Sequence, residues 1–394
     1  MARTTYNDDG QPTLVEEGTA TSQSDAALAA MTVLSQVSTE YDVSGRKAKV
    51  TTSAAGVIST VTQYSYDVVG NPECTAVRMN PAVYGSLPAS ACTLGPAGPH
   101  GPDRITRNVY DLAGQLTQVR QAVGTPLEQV YAAHTYSPNG QRASVTDANG
   151  NLAALTYDGF DRQTRWTFPS PTTAGQVNPA DYEQYGHDAN GNRTSLRKRD
   201  GRTITYTYDA LNRMTSKIIP DGGGLPATAT RDVYYGYDLR GLQLYARFDS
   251  ASGEGITNAW DGLGRLASST TNMGGTSRTL SYSYWANGPR AGITWPDGQH
   301  VDFGRDTLGR ITSVNLNYTT PVLRPQYDAA GRVSALDRWN HTSWNWGPST
   351  TFGYDGVSRL SALTHGFTST PYNVATTFAY NPASQVVTRS PNNS

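Results

Sequence analysis

The chain has 394 residues, a formal charge of −1 and 16% charged residues. Near neutrality excludes nucleic-acid or membrane-surface binding driven by bulk charge. Plentiful aromatic residues, 10% with 24 Tyr, exclude a disordered chain, and no stretch reaches the ~18 apolar residues needed to span a bilayer.

In chain order, Met1-Ala2-Arg3 runs directly into Thr5-Tyr6-Asn7-Asp8-Asp9-Gly10, with no apolar leader of the signal-peptide kind. Ala26 to Val37 is the best helical candidate, but it lacks a stop signal and reads equally well as a strand. From Tyr41 onward a hexapeptide, Tyr-Asp-x-x-Gly-Arg, dominates. Clean copies begin at Tyr41 and Tyr327, and close variants at Tyr66, Tyr110, Tyr237 and Trp260. Looser copies begin at Tyr6, Tyr136, Tyr157, His187, Tyr208, Tyr284, Arg305, Tyr354 and Tyr380, which makes 15 in all. Successive starts lie 21 to 30 residues apart, except for steps of 35 and 44 near the N-terminus. A period in this range predicts stacked repeats, and it outranks any local motif in deciding the fold.

The hexapeptide is turn chemistry. Asp favours the first position of a type I turn, and Gly the fourth, where φ is often positive. The expected turn residues are Tyr41, Asp42, Gly45 and Arg46; Tyr66, Asp67 and Gly70; Tyr110, Asp111 and Gly114; Tyr208 and Asp209; Tyr237, Asp238 and Gly241; Asp261, Gly264 and Arg265; and Tyr327, Asp328, Gly331 and Arg332. Asp161 and Asn212 replace Gly with residues that tolerate the left-handed region, whereas Ser358 and Ser384 fit it less well, so the last copies are expected to be less regular.

The flanks alternate as strands do, as in Thr203-Ile204-Thr205-Tyr206-Thr207-Tyr208. Eight copies carry an aromatic two residues before the motif, among them Tyr64, Tyr206 and Tyr282, so aromatic rows are expected on one face. Second turns such as Asn149-Gly150 and Asp297-Gly298 close each unit. The arginines, 27 against 4 lysines, often follow the turn Gly, where a guanidinium can stack on Tyr or pair with Asp of the next hairpin. The fold expected is all-β: one array of tandem hairpins over residues 1–394, stacked into a curved, spiralling sheet. A Pro/Gly-rich insertion is expected over 72–104, and further loops at Phe168–Ala180, Pro220–Pro226 and Thr319–Pro325.

Cys74 and Cys92 both lie in that insertion. A disulfide closing it, as in an exported protein, and two unpaired surface thiols are both open readings.

The repeated hexapeptides, with the linkers Thr146-Asp147-Ala148-Asn149-Gly150-Asn151 and Asp188-Ala189-Asn190-Gly191-Asn192, closely resemble the RHS (rearrangement hotspot) or YD-repeat family over essentially the whole chain. The resemblance implies a β-sheet that spirals into a hollow shell. In bacterial polymorphic toxins and toxin complexes such a shell encloses a toxic C-terminal domain; related shells occur in cell-adhesion and wall-associated proteins. It implies a secreted or cell-surface setting within a larger protein, and an effector cargo not carried on this chain. The Asp-Pro-x-Gly type motif that ends the repeat core of toxin carriers is missing before Ser394, so self-cleavage is not implied. The chain is expected to be a segment of a longer array or a truncated reading frame.

Chemical readings compete poorly with this. Aspartates at matched heights suggest acid/base chemistry, but turn capping explains them. Asp147 to Asn151 lacks the spacing and position-12 Glu of a calcium loop. The histidines, His100, His134, His187, His300, His341 and His365, form no ligand-spaced pair. The basic run Arg193 to Arg202 reads as a strand edge rather than a nucleic-acid patch. No catalytic residue, cofactor or metal site is expected. Trp339, Trp344 and Trp346 could stack on sugars, so a cell-surface carbohydrate-binding or adhesion module is the alternative to a non-catalytic shell segment.

Overall fold

A computed structural model describes residues 1–394 except 23, 223, 225, 227, 228, 341–343, 368–372 and 394. Among the described residues are thirty β-strands, a five-residue helix (Asp25–Ala29) and a short 3-10 turn (Pro81–Val83). The chain divides into two compact units, one formed by residues 1–133 and 322–394, the other by residues 134–321.

Within each unit, each strand pairs antiparallel with the next in sequence. In the first unit Thr32–Tyr41 pairs with Lys47–Ala54, which pairs with Val57–Tyr66, which pairs with Pro72–Val77. In the second, Arg193–Arg197, Thr203–Tyr208 and Met214–Ile218 follow the same meander. Every copy of the hexapeptide therefore turns on one edge of its sheet, and the connecting turns lie on the other. Ladder register slips by one residue just before the motif's first residue, between Glu40 and Tyr41, Ser65 and Tyr66, and Thr207 and Tyr208. That slip is the bulge expected when a turn ends in a positive-φ residue.

Several local expectations are revised. Asp25–Ala29 forms a helix capped by Ser24, whose Oγ accepts from the Ala27 amide. It stops after five residues, and Thr32–Tyr41 is a strand, because β-branched Thr32, Val33 and Val37 favour the ladder. Pro72–Val77 is a strand rather than part of the insertion, since Cys74 and Ala76 bury on one face and pair with Arg107 and Ile105. Thr320–Tyr327 is likewise a strand, with Pro325 opposite Leu336 inside the ladder. Phe168 and Pro169 end one strand and Val177 begins the next, so the loop between them is shorter than expected. The Pro220–Pro226 loop lies partly outside the described residues. Ser358 and Ser384 adopt φ of 67° and 57°, close to the 59° of Asp161 and 60° of Asn212. The last copies keep the regular turn because its backbone hydrogen bonds outweigh the strain of a positive φ.

The aliphatic core is small. Cys74, Ala76, Ala91, Ile105 and Val123 form a buried cluster where the insertion folds onto the first unit's sheet, with Cys92 and Leu94 packed against it. Elsewhere the strand side chains are mostly half-buried, and neighbouring hairpins must be held together by other means.

Candidate functional site: the joint between repeats

Each hexapeptide first satisfies its own turn. In the Tyr41 copy, the Gly45 amide donates to the Asp42 carbonyl at 2.9 Å, and the Asp42 amide donates to the Arg46 carbonyl at 2.8 Å. Gly45 takes φ 74°, open to glycine at no steric cost. The Asp42 carboxylate then caps the loop: Oδ1 accepts from the amides of Ser44 and Arg46, both at 2.9 Å, and Oδ2 accepts from Arg46 Nε at 2.8 Å. The same pattern recurs at Asp209 with Arg213, Asp261 with Arg265 and Asp328 with Arg332. Where Arg is replaced by Asn, the amide takes over, as Asn71 Nδ2 donates to Asp67 Oδ2 and Asn192 Nδ2 to Asp188 Oδ2, both at 2.9 Å. Asp111 and Asp238 cap their turns with Oδ1 alike.

The motif's first and last side chains then bind neighbouring copies. The Tyr hydroxyl reaches backward, to the carbonyl two residues past the previous turn's positive-φ position. Tyr41 donates to Pro12 O, Tyr66 to Lys47 O and Tyr110 to Pro72 O, each at 3.0 Å. Tyr208 donates to Arg193 O at 2.9 Å, and Tyr284 to Leu266 O at 2.8 Å. Trp260, which stands in a Tyr position, donates through Nε1 to Gln243 O at 3.0 Å, so the substitution keeps the bond. Arginine reaches forward. The Arg46 guanidinium lies 4.3 Å from the centre of the Tyr66 ring, Arg213 4.9 Å from that of Tyr237, and Arg332 4.4 Å from that of Tyr354. A remaining nitrogen of Arg213 donates to the Asp238 carbonyl at 2.8 Å. Arginine thus stacks on the next Tyr, as expected, but its carboxylate partner is the Asp of its own turn.

These bonds favour the charged form of several turn carboxylates, Asp42 and Asp158 among them. Asp42 is held below the usual carboxylate range, first by the Arg46 amide and then by the Arg46 side chain. Asp158 is lowered to about 2, mainly by its hydrogen bond from Arg162. With each of these carboxylates engaged by the amides of its own loop, the aspartates do not converge into an acid/base pair.

The insertion carries a second constellation. Cys74 and Cys92 are joined by a disulfide with Cα atoms 5.3 Å apart. Beside it Arg78 is buried completely, and all five of its N–H groups are used. Nη1 donates to Asp103 Oδ2 at 2.6 Å and to Thr93 O at 2.8 Å, Nη2 donates to Ser90 O and Gln63 Oε1, and Nε donates to Gln63 Oε1. Asp103 also accepts from the Met79 and Gly95 amides, both at 2.8 Å. Tyr84 donates to Arg78 O, and burial, aided by the Asp103 charge, pushes its phenol up to about 12. Nothing in the sequence signalled this knot: Arg78 and Asp103 are 25 residues apart and fit no motif.

The aromatic rows take a different form from the one expected. Arg193 lies between Tyr185 and Tyr206, at 5.9 and 5.4 Å from their centres, and Arg290 covers Tyr282 at 4.4 Å, so rings alternate with guanidinium groups. In the basic run, Arg199 pairs with Asp181 and Arg202 with Asp200, which leaves these two charges engaged within the sheet.

Trp339 and Trp346 are cross-strand partners that meet edge to face at 5.3 Å and 80°, with Arg324 over Trp346 at 4.5 Å. Trp344 is exposed in the turn between them. The three rings do not form one flat platform, and His341 lies outside the described residues. His300 stacks on Tyr318 at 4.3 Å and His365 Nδ1 hydrogen-bonds Thr350 Oγ1 at 3.0 Å, each a local packing role. Among the described residues, Glu73 with Cys74 and Cys92 is the one acid–thiol group close enough to share a metal ion, and its two sulfurs are bonded to each other.

These features define a tandem β-hairpin repeat protein in which, within each unit, neighbouring copies are bonded to one another. Residues 136–170 and 178–223 match the family model described as RHS Repeat, so this stretch of the chain carries RHS repeats. The crystal structure of TcdB2-TccC3 is similar, with a TM-score of 0.58 at 16% identity, over 100% of this chain and 24% of that one. TcdB2-TccC3-Cdc42 gives 0.56 at 16%, over 100% and 23%, and TcdB2-TccC3 without its hypervariable C-terminal region gives 0.55 at 13%, over 100% and 25%. The chain spans about a quarter of the length of these chains. No curated protein matches the sequence.

Proposed function

We propose that this chain is a non-catalytic wall segment of an RHS shell in a toxin system, enclosing or presenting an effector carried elsewhere on a larger, exported protein. The single observation that supports this most is the joint. The repeated side chains are consumed in binding one copy to the next: Asp closes the turn, Tyr reaches back and Arg reaches forward. A motif devoted to continuity builds an extended surface rather than an active centre. The similarity in fold to TcdB2-TccC3 supports the same reading, and the Cys74–Cys92 disulfide suits an oxidising, extracytoplasmic setting.

The test is electron microscopy of the complete gene product, with mass spectrometry of protease-treated particles. The expected result is a hollow particle in which a C-terminal segment survives protease that degrades it once the shell is opened by denaturant. A solid two-layer domain, or a C-terminal segment degraded at once, overturns the reading.

A further inference from the structure

We infer that the hexapeptide-turn edge of the sheet is a docking edge, and that its occupant is the connecting-turn edge of another coil of the same hairpins. The first unit already contains one such seam. The Asp355 turn lies against the connecting turn at Ala54-Ala55, so closely that a Cβ added to Gly356 would sit 2.4 Å from Ala54 Cβ. The side chains around this seam leave a cleft of about 290 Å³ lined from both edges, by Tyr354, Asp355 and Gly356 on one side and Leu34, Ala54 and Ala55 on the other.

At this seam Val357, fourth in its hexapeptide, is half-buried, and in the next copy Pro382, third in its own, is buried and Ala383 half-buried. Several other copies carry larger apolar tips with nothing on them. In the first unit Val43, Val68 and Leu112 are fully exposed, and in the second so is Leu239, with Phe160 and Leu263 nearly so. A turn position needs only a residue that tolerates its backbone, and solvent-facing turns are ordinarily polar. Recurrent apolar side chains at the two tip positions of the turn mark a contact surface.

The geometry selects the occupant. Both edges belong to the same hairpins, so both repeat at two strand spacings, about 10 Å, and stay in step over many copies. Small residues such as Gly274 and Gly275 on a connecting-turn edge leave room for a Leu or Val tip. Because the two edges differ, contact between two copies of the chain is head to tail and does not close after two. The inference rests on the Gly356–Ala54 seam and not on the shell reading: a shell imaged with free tips would end it and leave the shell standing.

The test is sedimentation velocity of the 394-residue chain between about 1 and 100 µM, with a second copy as the probe. The expected result is concentration-dependent association that high salt does not weaken. The triple variant V43S/V68S/L112S and, separately, Leu239→Ser should each weaken it at least tenfold, with unchanged circular dichroism, because the replaced side chains are in solvent. A chain that stays monomeric at 100 µM, or association indifferent to both variants, overturns the inference. So does tip-dependent binding to phosphatidylcholine vesicles in place of self-association, since the occupant would then be lipid.

Discussion

Arg46 and Tyr66 are bound to each other's hairpins in both directions. The Arg46 guanidinium packs 4.3 Å from the centre of the Tyr66 ring, while the Tyr66 hydroxyl returns to the carbonyl of Lys47, the residue after Arg46, at 3.0 Å. One copy therefore contributes a cation and a main-chain acceptor, and the next contributes a ring and a donor. Recurrence of this pair along the chain explains how a sheet with little aliphatic core holds its hairpins in register.

Tyr66→Phe keeps the ring beneath Arg46 and removes only the hydroxyl. The expected loss is about 1 kcal/mol, the net value of one hydrogen bond, measured by urea unfolding. Tyr208→Phe lies in the other unit, shares no partner with it, and should add to it within about 0.5 kcal/mol.

Acid should loosen the turns. Asp158 has a native value of about 2 against an ordinary 3.8, lowered chiefly by Arg162. Between those values the unfolded chain binds more protons than the native one, so the stabilisation is complete above about pH 4 and is lost as pH falls toward 2. Asp42, Asp209 and Asp261 are shifted the same way. Thermal melts across pH 2–8 should be flat from pH 5 upward and fall steeply below pH 4, and Asp158→Asn should flatten part of that fall.

Arg78→Ala leaves the Asp103 carboxylate buried without its cation, and a loss of about 3–5 kcal/mol is expected. Because the damage is confined to the insertion, limited proteolysis should cut between residues 95 and 102 while the flanking strands survive. A variant that is cut no faster than the parent would contradict the role given to this pair.

Reducing the disulfide, or Cys74→Ser, opens a loop with a sequence separation of 18. Chain entropy puts the cost near 3 kcal/mol. Denaturation with and without reductant measures it, and the Cys74→Ser protein should show no further response to reductant.

Gly356→Ala forces a Cβ against Ala54, and overpacking of this kind costs about 1–3 kcal/mol. Ala54→Gly removes the opposing atom, so the double variant should recover most of the loss in a double-mutant cycle. Full additivity of the two changes would argue that the residues do not touch.

The turns were legible because their chemistry is local: Asp, Gly and a positive φ lie within five residues, and even Asp161 and Asn212 announce the same geometry. The joints were half legible. Stacking of Arg on the next Tyr follows from spacing, but the Tyr acceptor is a backbone carbonyl, which has no residue type to recognise. Ser358 and Ser384 misled because propensity ranks a residue in isolation, while the turn's two backbone bonds decide the conformation. Arg78 and Asp103 were silent, since a buried ion pair across a long insertion leaves no periodic trace. The tryptophans suggested a platform that Trp339 and Trp346 use up by packing on each other.

The acceptor of each tyrosine bond has a further consequence. Pro12, Lys47, Pro72, Arg193, Gln243 and Leu266 all serve equally, since only their main-chain oxygen is used. Any copy can therefore follow any other. A hairpin duplicated, deleted or exchanged for another would leave its neighbours a main-chain oxygen in the same place.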